Sequence, residues 1–214
     1  MGKKQFLIDV GPDFRMQALH YGIRHLDGIL LTHSHYDHIA GIDDLRALRF
    51  SGQERIPCLA SHESFKEIKH FFHYLFEGYG GPRLPLDFTF LEDDFGKVKF
   101  EGLVVDFVSY TQANMKVNGY RLGSFAYISD IRKYDERVVV ALQGVDLLVL
   151  SALRYTTSEV HFSLDEAIEF SRKVGAKRTF FTHIAHDLDH EETNAKLPPE
   201  AQLAHDGMEI EFEL

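Results

Sequence analysis

The chain has 214 residues, of which 44% are hydrophobic and 13% aromatic, so one domain can bury a substantial core. Its formal net charge of −10, from 33 acidic and 23 basic side chains, argues against a general nucleic-acid or anionic-membrane surface. Cys58 is the only cysteine, which excludes an internal disulfide and favours a reducing compartment. No apolar run could cross a bilayer, and the N-terminus lacks the apolar region of a signal peptide. We therefore predict a cytoplasmic protein without a membrane partner.

The first part of the chain alternates short apolar runs with segments of helical pattern. Strands are predicted at residues 6–10, 28–32 and 56–60, and helices over about 13–20, 43–48 and 63–76. Residues 78–85, with three glycines and two prolines, predict a loop. This alternation is typical of an α/β arrangement.

Strands dominate the middle of the chain, and strands and helices alternate again towards its end. The predicted strands are 87–91, 97–101, 103–109, 120–122, 125–129, 146–150, 178–182 and 208–212. The predicted helices are 135–142, 164–174 and 187–196. With no repeat, low-complexity segment or linker, residues 1–214 are predicted to form a single mixed α/β domain.

Four metal-ligating side chains lie in the segment His33-Ser34-His35-Tyr36-Asp37-His38, directly after a predicted strand. Side chains two apart on an extended segment point the same way, so His33 and His35 can bind one cation. Asp37 and His38 follow where the chain turns and can reach a second cation. Imidazole and carboxylate suit zinc, manganese or ferrous iron. The alternative is a solvated loop rich in histidine, but this density of ligands at a strand end favours a metal site.

Three later residues could complete such a site. Asp130 ends the predicted strand 125–129, where a carboxylate can bridge two cations or cap the next helix. His183 follows an apolar strand and a threonine, as His33 does, and this symmetry favours a ligand role. His161 precedes the helix over 164–174; it is either a polar residue at a helix entry or an imidazole that protonates a leaving oxygen.

With these residues identified, the chain resembles the metallo-β-lactamase superfamily, whose signature His-x-His-x-Asp-His is complete at residues 33–38. Asp130 and His183 fall at its later ligand positions. Segments 9–15, 41–46 and 182–192 resemble the branch that includes the phosphoribosyl cyclic phosphodiesterase of phosphonate degradation. The resemblance covers essentially the whole chain. It implies a four-layer αββα sandwich with metals at one edge of the two sheets, and hydrolysis, usually of a phosphodiester.

Two features depart from this family. A third histidine ligand is expected seven residues before the Gly119-Tyr120-Arg121 segment, and Gln112 stands there instead. An amide oxygen can coordinate a hard cation but is a poorer zinc ligand than imidazole. The first site is therefore expected to be weakened, shifted towards manganese or iron, or empty in the isolated protein. Relatives also carry several strands before the segment matching residues 6–9. Either the family pattern is trimmed here and the usual first strands are missing, or the true start lies upstream of Met1. A missing edge would expose sheet surface and could favour a homodimer.

The resemblance implies two divalent metal ions, zinc or manganese, with iron as a further candidate. The predicted ligands, by ion, are His33, His35 and Gln112 for the first, Asp37, His38 and His183 for the second, and Asp130 as the bridge. Asp9 is predicted to support the metal ligands without binding a metal itself. The residues assigned to catalysis are Asp37 and His161. The expected reaction is attack of a metal-bound hydroxide on a small phosphodiester, with His161 as general acid.

Two alternatives stay open from the sequence. The first is an RNA-processing endonuclease like tRNase Z, which shares the metal core but would need a basic patch that the sequence lacks. The second is a non-catalytic relative whose metal site has degraded, as Gln112 could indicate. Against the second, the other predicted ligands and His161 are all present.

Overall fold

The structure, a computed structural model, describes residues 4–77 and 84–214. The chain forms two compact units, Met1–Asp93 and Asp94–Leu214, each with its own β-sheet and hydrophobic core. A four-stranded sheet lies in the first unit and a seven-stranded sheet in the second. The mixed α/β class predicted from the sequence is confirmed, whereas the single domain over residues 1–214 stays a prediction.

The sheet of the first unit is entirely parallel. Its strands, in spatial and chain order, are β1 (Phe6–Ile8), β2 (Gly28–Leu30), β3 (Ile56–Ser61) and β4 (Leu86–Leu91). The helices are α1 (Phe14–His20), α2 (Tyr36–Ile39), a 3₁₀-helix (Ala40–Ser51), α3 (His62–Phe71) and α4 (His73–Glu77). All six residues of β3 are buried, as expected for a parallel strand covered on both faces. Apolar side chains such as Ile29, Ile42 and Ile68 form the core.

The sheet of the second unit is antiparallel on one side and parallel on the other. Its strands, in chain order and neighbouring one another, are β5 (Phe95–Phe100), β6 (Leu103–Gln112), β7 (Met115–Leu122), β8 (Phe125–Ile128), β9 (Leu147–Ser151), β10 (Arg178–Thr182) and β11 (Ala201–Leu203). Pairing is antiparallel from β5 to β8 and parallel from β8 to β11. The helices are α5 (Glu136–Leu142), α6 (Leu164–Val174) and α7 (His190–Asn194).

Helix α6 shows how the sequence sets element boundaries. Ser163 and Glu166 form a reciprocal capping box at its start, and Gly175 ends it with φ of 74°. Phe170, on the buried face, packs in one cluster with Phe181 of β10. Its N-cap, Ser163, lies two residues after His161, so the cap fixes the chain beside a predicted site residue.

Several predicted elements differ from the observed ones. The helix expected over 43–48 belongs to the longer 3₁₀-helix, and the helix over 63–76 is interrupted at Phe72. Strand β7 begins at Met115 rather than near 120, because a tight turn at 113–114 returns the chain directly from β6. The loop predicted at 78–85 falls mostly outside the described residues.

The strand predicted at 208–212 is wrong. Residues 208–212 form no strand; β11 ends before them, at Leu203, and Gly207, with φ of 80°, lies between. The alternating pattern at 208–212 has a different origin. Phe212 stacks on Phe125, and the Ser124 hydroxyl donates to the carbonyl of Glu213 at 2.6 Å. No helix within residues 4–77 and 84–214 is long and apolar enough to cross a membrane.

Candidate metal centre

The carboxyl ends of β1 and β2 bring the first set of predicted residues together. These strands are parallel neighbours, so Asp9, which follows β1, and Thr32 and His33, which follow β2, lie at the same sheet edge. The amide of Asp9 donates to the carbonyl of Leu30 at 3.0 Å, which continues the pairing to this edge. The chain then turns into α2, which carries Asp37 and His38.

The histidines of this segment are close to one another. Nε2 of His33 lies 3.0 Å from Nδ1 of His35, and the His33 and His38 rings are 4.1 Å apart between centroids. His33 and His38 are buried, whereas the Asp37 side chain is 56% exposed with its Oδ2 3.3 Å from Nε2 of His38. The first unit therefore brings together the four residues predicted from its signature motif.

Asp9 fixes the orientation of His38. Its Oδ2 lies 2.6 Å from Nδ1 of His38, and because a carboxylate only accepts, Nδ1 is the donor in this hydrogen bond. The Thr32 amide and hydroxyl each donate to Asp9 at 2.7 Å. A histidine held in this way by a carboxylate presents its other nitrogen as a ligand. This supports the predicted role of Asp9.

Two glycines allow the backbone segments of this edge to meet. A Cβ at Gly11 would lie 2.6 Å from the carbonyl oxygen of Asp37. A Cβ at Gly41 would lie 2.3 Å from the carbonyl oxygen of Gly11. Any larger residue would push the motif segment away from the chain that follows β1.

The second set of predicted residues lies at one edge of the seven-stranded sheet. Strands β8, β9 and β10 are parallel, and β6 runs in the same direction because two antiparallel pairings separate it from β8. Their carboxyl ends therefore carry Gln112, Asp130, Ser151 and His183 to the same edge. The amide of Asp130 donates to the Ser151 hydroxyl at 2.8 Å, which ties two of these ends together.

Asp130 is the centre of this second set. It is 1% exposed, and its Oδ2 accepts from the Ser129 hydroxyl at 2.6 Å. Its Oδ1 lies 3.0 Å from Nδ1 of His161 and 3.4 Å from Nε2 of His183. One ligand atom from each of Asp130, His161 and His183 lies within 4.8 Å of the others. The second unit thus contains a three-residue cluster of metal-ligating atoms.

Gln112, at the end of β6, joins this cluster through its amide. Nε2 lies 3.1 Å from Oδ1 of Asp130, and 3.0 Å and 3.3 Å from Nε2 and Nδ1 of His161. Gln112 is 3% exposed, and its Oε1 is buried without a hydrogen-bond partner among the residues that the structure describes. A cation would satisfy such an oxygen, so the donor set of this edge fits a divalent metal.

The loop that carries His161 is held by Ser158. The Ser158 hydroxyl accepts from the amides of His161 at 2.9 Å and Val160 at 3.2 Å, and donates to the carbonyl of His161 at 3.2 Å. The two ends of the loop are joined by backbone hydrogen bonds: the amide of Leu153 donates to the carbonyl of Phe162, and the amide of Leu164 donates to the carbonyl of Arg154. Ser158 had no signal in the sequence, because a serine in a polar loop predicts no particular partner.

Backbone strain marks three residues of these edges. Asp9, Asp130 and His183 have φ of 63°, 54° and 58°, which non-glycine residues adopt at a cost. Asp130 and His183 are predicted ligands, and Asp9 is the predicted support. A left-handed residue at each position turns the chain sharply where the strand ends.

Two ionisable groups near these edges have shifted pKa values. Burial raises the pKa of the Cys58 thiol above its ordinary range, and the Asp9 carboxylate adds to the shift. Burial also acts to raise the pKa of the Glu166 carboxyl, but hydrogen bonds from Ser163 and Arg132 outweigh it and bring the pKa below its ordinary value of 4.5. Cys58 is therefore a buried thiol, and Glu166 a charged anchor for α6.

With the geometry described, the family can be stated. Residues 4–184 match the model of the "Beta-lactamase superfamily domain" family, and the chain belongs to that family. The two-sheet α/β fold is the metallo-β-lactamase fold, and the family is one of hydrolases.

A crystal structure described as a new diphosphatase from the PhnP family is 39% identical, with a TM-score of 0.88; the match covers 97% of this chain and 80% of that one. Zinc-bound PqqB from Methylobacterium extorquens is 18% identical (TM-score 0.71, 96% and 83% covered), and human short-form tRNase Z is 16% identical (TM-score 0.70, 98% and 88% covered). The last two show the fold alone.

Among curated proteins, an octanoyltransferase of Porphyromonas gingivalis is 30% identical over 216 residues. The match covers 96% of this chain but 42% of that protein. The chain thus spans about two fifths of the length of that relative, whose name describes the whole protein.

Proposed function

We propose that this protein is a metal-dependent phosphodiesterase that cleaves a small phosphodiester, with His161 as general acid. The observation that carries the proposal is the position of His161, whose Nδ1 lies 3.0 Å from the carboxylate of Asp130. The similarity to a PhnP-family diphosphatase supports phosphorus chemistry as the reaction class.

The metal ligands in this proposal come from both sheet edges. His33, His35, Asp37 and His38 contribute from the first unit, and Asp130, His183 and Gln112 from the second. When bound, divalent ions lower the pKa of coordinated water and offset the charge of a phosphoryl group. The zinc-bound relative of the same fold is consistent with such ions, and we propose two of them, zinc, manganese or iron.

The protein's own residues have separable tasks. Asp9 holds His38 with Nε2 directed away from the carboxylate, and Ser129 and Ser151 hold Asp130. The contact of its Nδ1 with Asp130 holds His161 in place, and as general acid His161 would pass a proton to the leaving oxygen. Asp37, the more exposed of the two residues assigned to catalysis, has the role of a ligand here.

The test compares His161→Ala with the wild type on two phosphodiesters that differ in their leaving group. With an alkoxide leaving group, which needs a proton, turnover is expected to fall about 100-fold. With p-nitrophenolate, a good leaving group, the fall should be several times smaller. Metal content, measured by elemental analysis, should be unchanged. His62→Ala, a substitution of an exposed histidine on α3, is the matched control.

Three results would reject the proposal. The wild type could show no hydrolysis of either ester with manganese, zinc or iron. The variant could lose the same factor on both esters, which would exclude proton donation. It could also lose its metal, which would make His161 a ligand. A dinucleotide diphosphate in the same assay separates ester hydrolysis from phosphoanhydride hydrolysis.

We do not propose the RNA-processing activity, because tRNase Z shares the fold at 16% identity and the net charge of −10 disfavours a polyanion. We do not propose octanoyl transfer either, because the match covers 42% of the protein that carries that name. Filter binding of tRNA at low salt tests the first of these alternatives.

A further inference from the structure

We propose that Tyr110, together with Gly119, is a positioning residue that sets the direction of the Asp130 carboxylate. The inference rests on the proposed function for its consequence in metal binding, whereas the contacts that carry it are made by the protein's own groups. It also gives a physical reason for the glycine of the segment Gly119-Tyr120-Arg121, which the proposed reaction leaves without a role.

The backbone conformation of Asp130 needs support. Its φ of 54° lies in the left-handed region, which a non-glycine residue keeps only where surrounding groups hold the chain. The amide of Asp130 donates to the Ser151 hydroxyl at 2.8 Å, which holds one polar atom of the peptide that joins Ser129 to Asp130. The carbonyl of Ser129 is the other polar atom of that peptide.

The Tyr110 hydroxyl holds this carbonyl. It donates to the oxygen of Ser129 at 2.6 Å, and Tyr110 is 4% exposed. Side chains from two other strands therefore bind both polar atoms of the peptide, Ser151 from β9 and Tyr110 from β6. Because a peptide unit is planar, fixing its orientation restricts φ of the residue that follows it. The two hydrogen bonds thus set φ of Asp130 and the direction of its side chain.

Gly119 leaves room for the Tyr110 ring to reach the end of β8. Strand β7 lies between β6 and β8, so a side chain of β6 must pass over β7 to make this contact. A Cβ at Gly119 of β7 would lie 3.1 Å from Cε1 of Tyr110 and 2.3 Å from Cδ1 of Ile128, the residue before Ser129. Any larger residue at this position would displace the ring or the end of β8.

The direction of the Asp130 carboxylate decides its contacts with two histidines. Its Oδ1 lies 3.0 Å from Nδ1 of His161 and 3.4 Å from Nε2 of His183, so rotation of the preceding peptide would move the carboxylate relative to both rings. Removing a group that orients a metal ligand lowers metal affinity about 10- to 100-fold. Tyr110 therefore acts through Asp130, without contact with metal or substrate.

The experiment compares the wild type with Tyr110→Phe, which keeps the ring and removes the hydroxyl. Long-range proton–nitrogen correlation spectra of metal-stripped protein report the imidazole nitrogens of His161 and His183. Isothermal titration calorimetry with Mn²⁺ and Zn²⁺ reports metal affinity, and urea unfolding reports stability. Tyr134→Phe is the matched control, because Tyr134 is a partly buried tyrosine of the same unit that packs edge-on against Phe170.

Gly119→Ala tests the pair from the other side. It keeps the Tyr110 hydroxyl but adds a methyl group against Cδ1 of Ile128, so it should change the imidazole signals and the metal affinity as Tyr110→Phe does. Adding Ile128→Val removes that Cδ1 and should return both readouts towards the wild-type values. A double variant that resembles Gly119→Ala alone would contradict the role assigned to Gly119.

We expect Tyr110→Phe to move the imidazole signals of both histidines and to lower metal affinity about tenfold, with Tyr134→Phe at the wild-type values. If Tyr110→Phe loses stability but leaves either readout unchanged, Tyr110 has a structural role only and the inference is wrong, while the proposed function stands. If the wild type binds neither ion, the proposed function fails, and the spectra of metal-stripped protein alone decide the inference.

Discussion

Oδ2 of Asp9 lies 2.6 Å from Nδ1 of His38, so the carboxylate that follows the first strand fixes the tautomer of a histidine 29 positions later. The same carboxylate accepts from the amide and the hydroxyl of Thr32. Asp9 therefore connects the ends of β1 and β2 to α2, which carries His38.

The first prediction follows from this relationship. In Asp9→Asn, one oxygen becomes an NH₂ group that must face the Thr32 donors or Nδ1 of His38, so the imidazole loses its fixed tautomer. We expect metal affinity, measured by isothermal titration calorimetry, to fall about 10- to 100-fold. Asn tolerates the left-handed backbone at this position, so the fold should survive. The exposed Asp13→Asn is the matched control, and equal affinities for the two variants would contradict the prediction.

The second prediction concerns Ser158 as a positioning residue for His161. Ser158→Ala removes three hydrogen bonds of the loop, and we expect kcat to fall about tenfold with metal content unchanged. The loss should be larger for an alkoxide than for a p-nitrophenolate leaving group, because it acts through His161. Ser158→Thr should recover most of the activity.

The neighbouring Thr157→Ala removes an exposed hydroxyl and controls for a general effect of truncating a side chain in this loop. A loss of turnover in Ser158→Ala that is independent of the leaving group would show that Ser158 has a structural role only.

The third prediction concerns pH. Because the pKa of Glu166 is lowered in the folded state, its contribution to stability is fully present above its unfolded pKa and is lost as the pH falls through the lower folded value. Glu166→Gln should therefore reduce the free energy of unfolding by about 0.5–1 kcal/mol near neutral pH. The difference from the wild type should shrink below pH ~4.5.

Urea unfolding at several pH values measures this difference. The matched control is Glu169→Gln on the same helix, whose side chain is 70% exposed and pairs with Lys173. A difference between Glu166→Gln and the wild type that grows as the pH falls would have the opposite sign and would exclude the assigned cause.

The fourth prediction is that Cys58 does not react with thiol reagents in the folded protein. Its side chain is buried in β3 and its pKa is raised, so very little thiolate forms near neutral pH. Ellman's reagent should label one thiol per chain in guanidinium chloride and almost none in buffer. Prompt labelling of the native protein would show that the first unit opens readily.

Much of this molecule could be predicted from its sequence. The alternation of apolar runs with capped helices predicted β2, β9, β10 and α6 within a residue or two, because burial on both faces and a capping box are local signals. The long hairpin of β6 and β7 was only partly predicted. Ala113, in its turn, has φ of 49°, and because alanine rarely adopts this left-handed conformation, the sequence does not predict a turn there.

The candidate site was predictable in its residue types but not in its contacts. His33, Asp130 and His183 were recognised because each follows an apolar strand, and parallel strands gather such ends. His38 was recognised because it lies in the ligand-rich segment 33–38. The hydrogen bond from Gln112 to Asp130 joins residues 18 positions apart, and the one from the His161 amide to the Ser158 hydroxyl joins residues three apart. Both depend on side-chain orientation, which sequence spacing does not encode. The homodimer and the cytoplasmic location stay predictions.

The left-handed backbone at Asp9, Asp130 and His183 sets limits on redesign. Anyone wishing to convert this scaffold to a new metal would find those three positions intolerant of β-branched or bulky replacements, however suitable their chemistry. Gln112 and His35 carry no such restriction, since their φ angles are ordinary. Combinatorial libraries for altered cofactor choice should therefore vary these two codons and leave the three strained ones untouched.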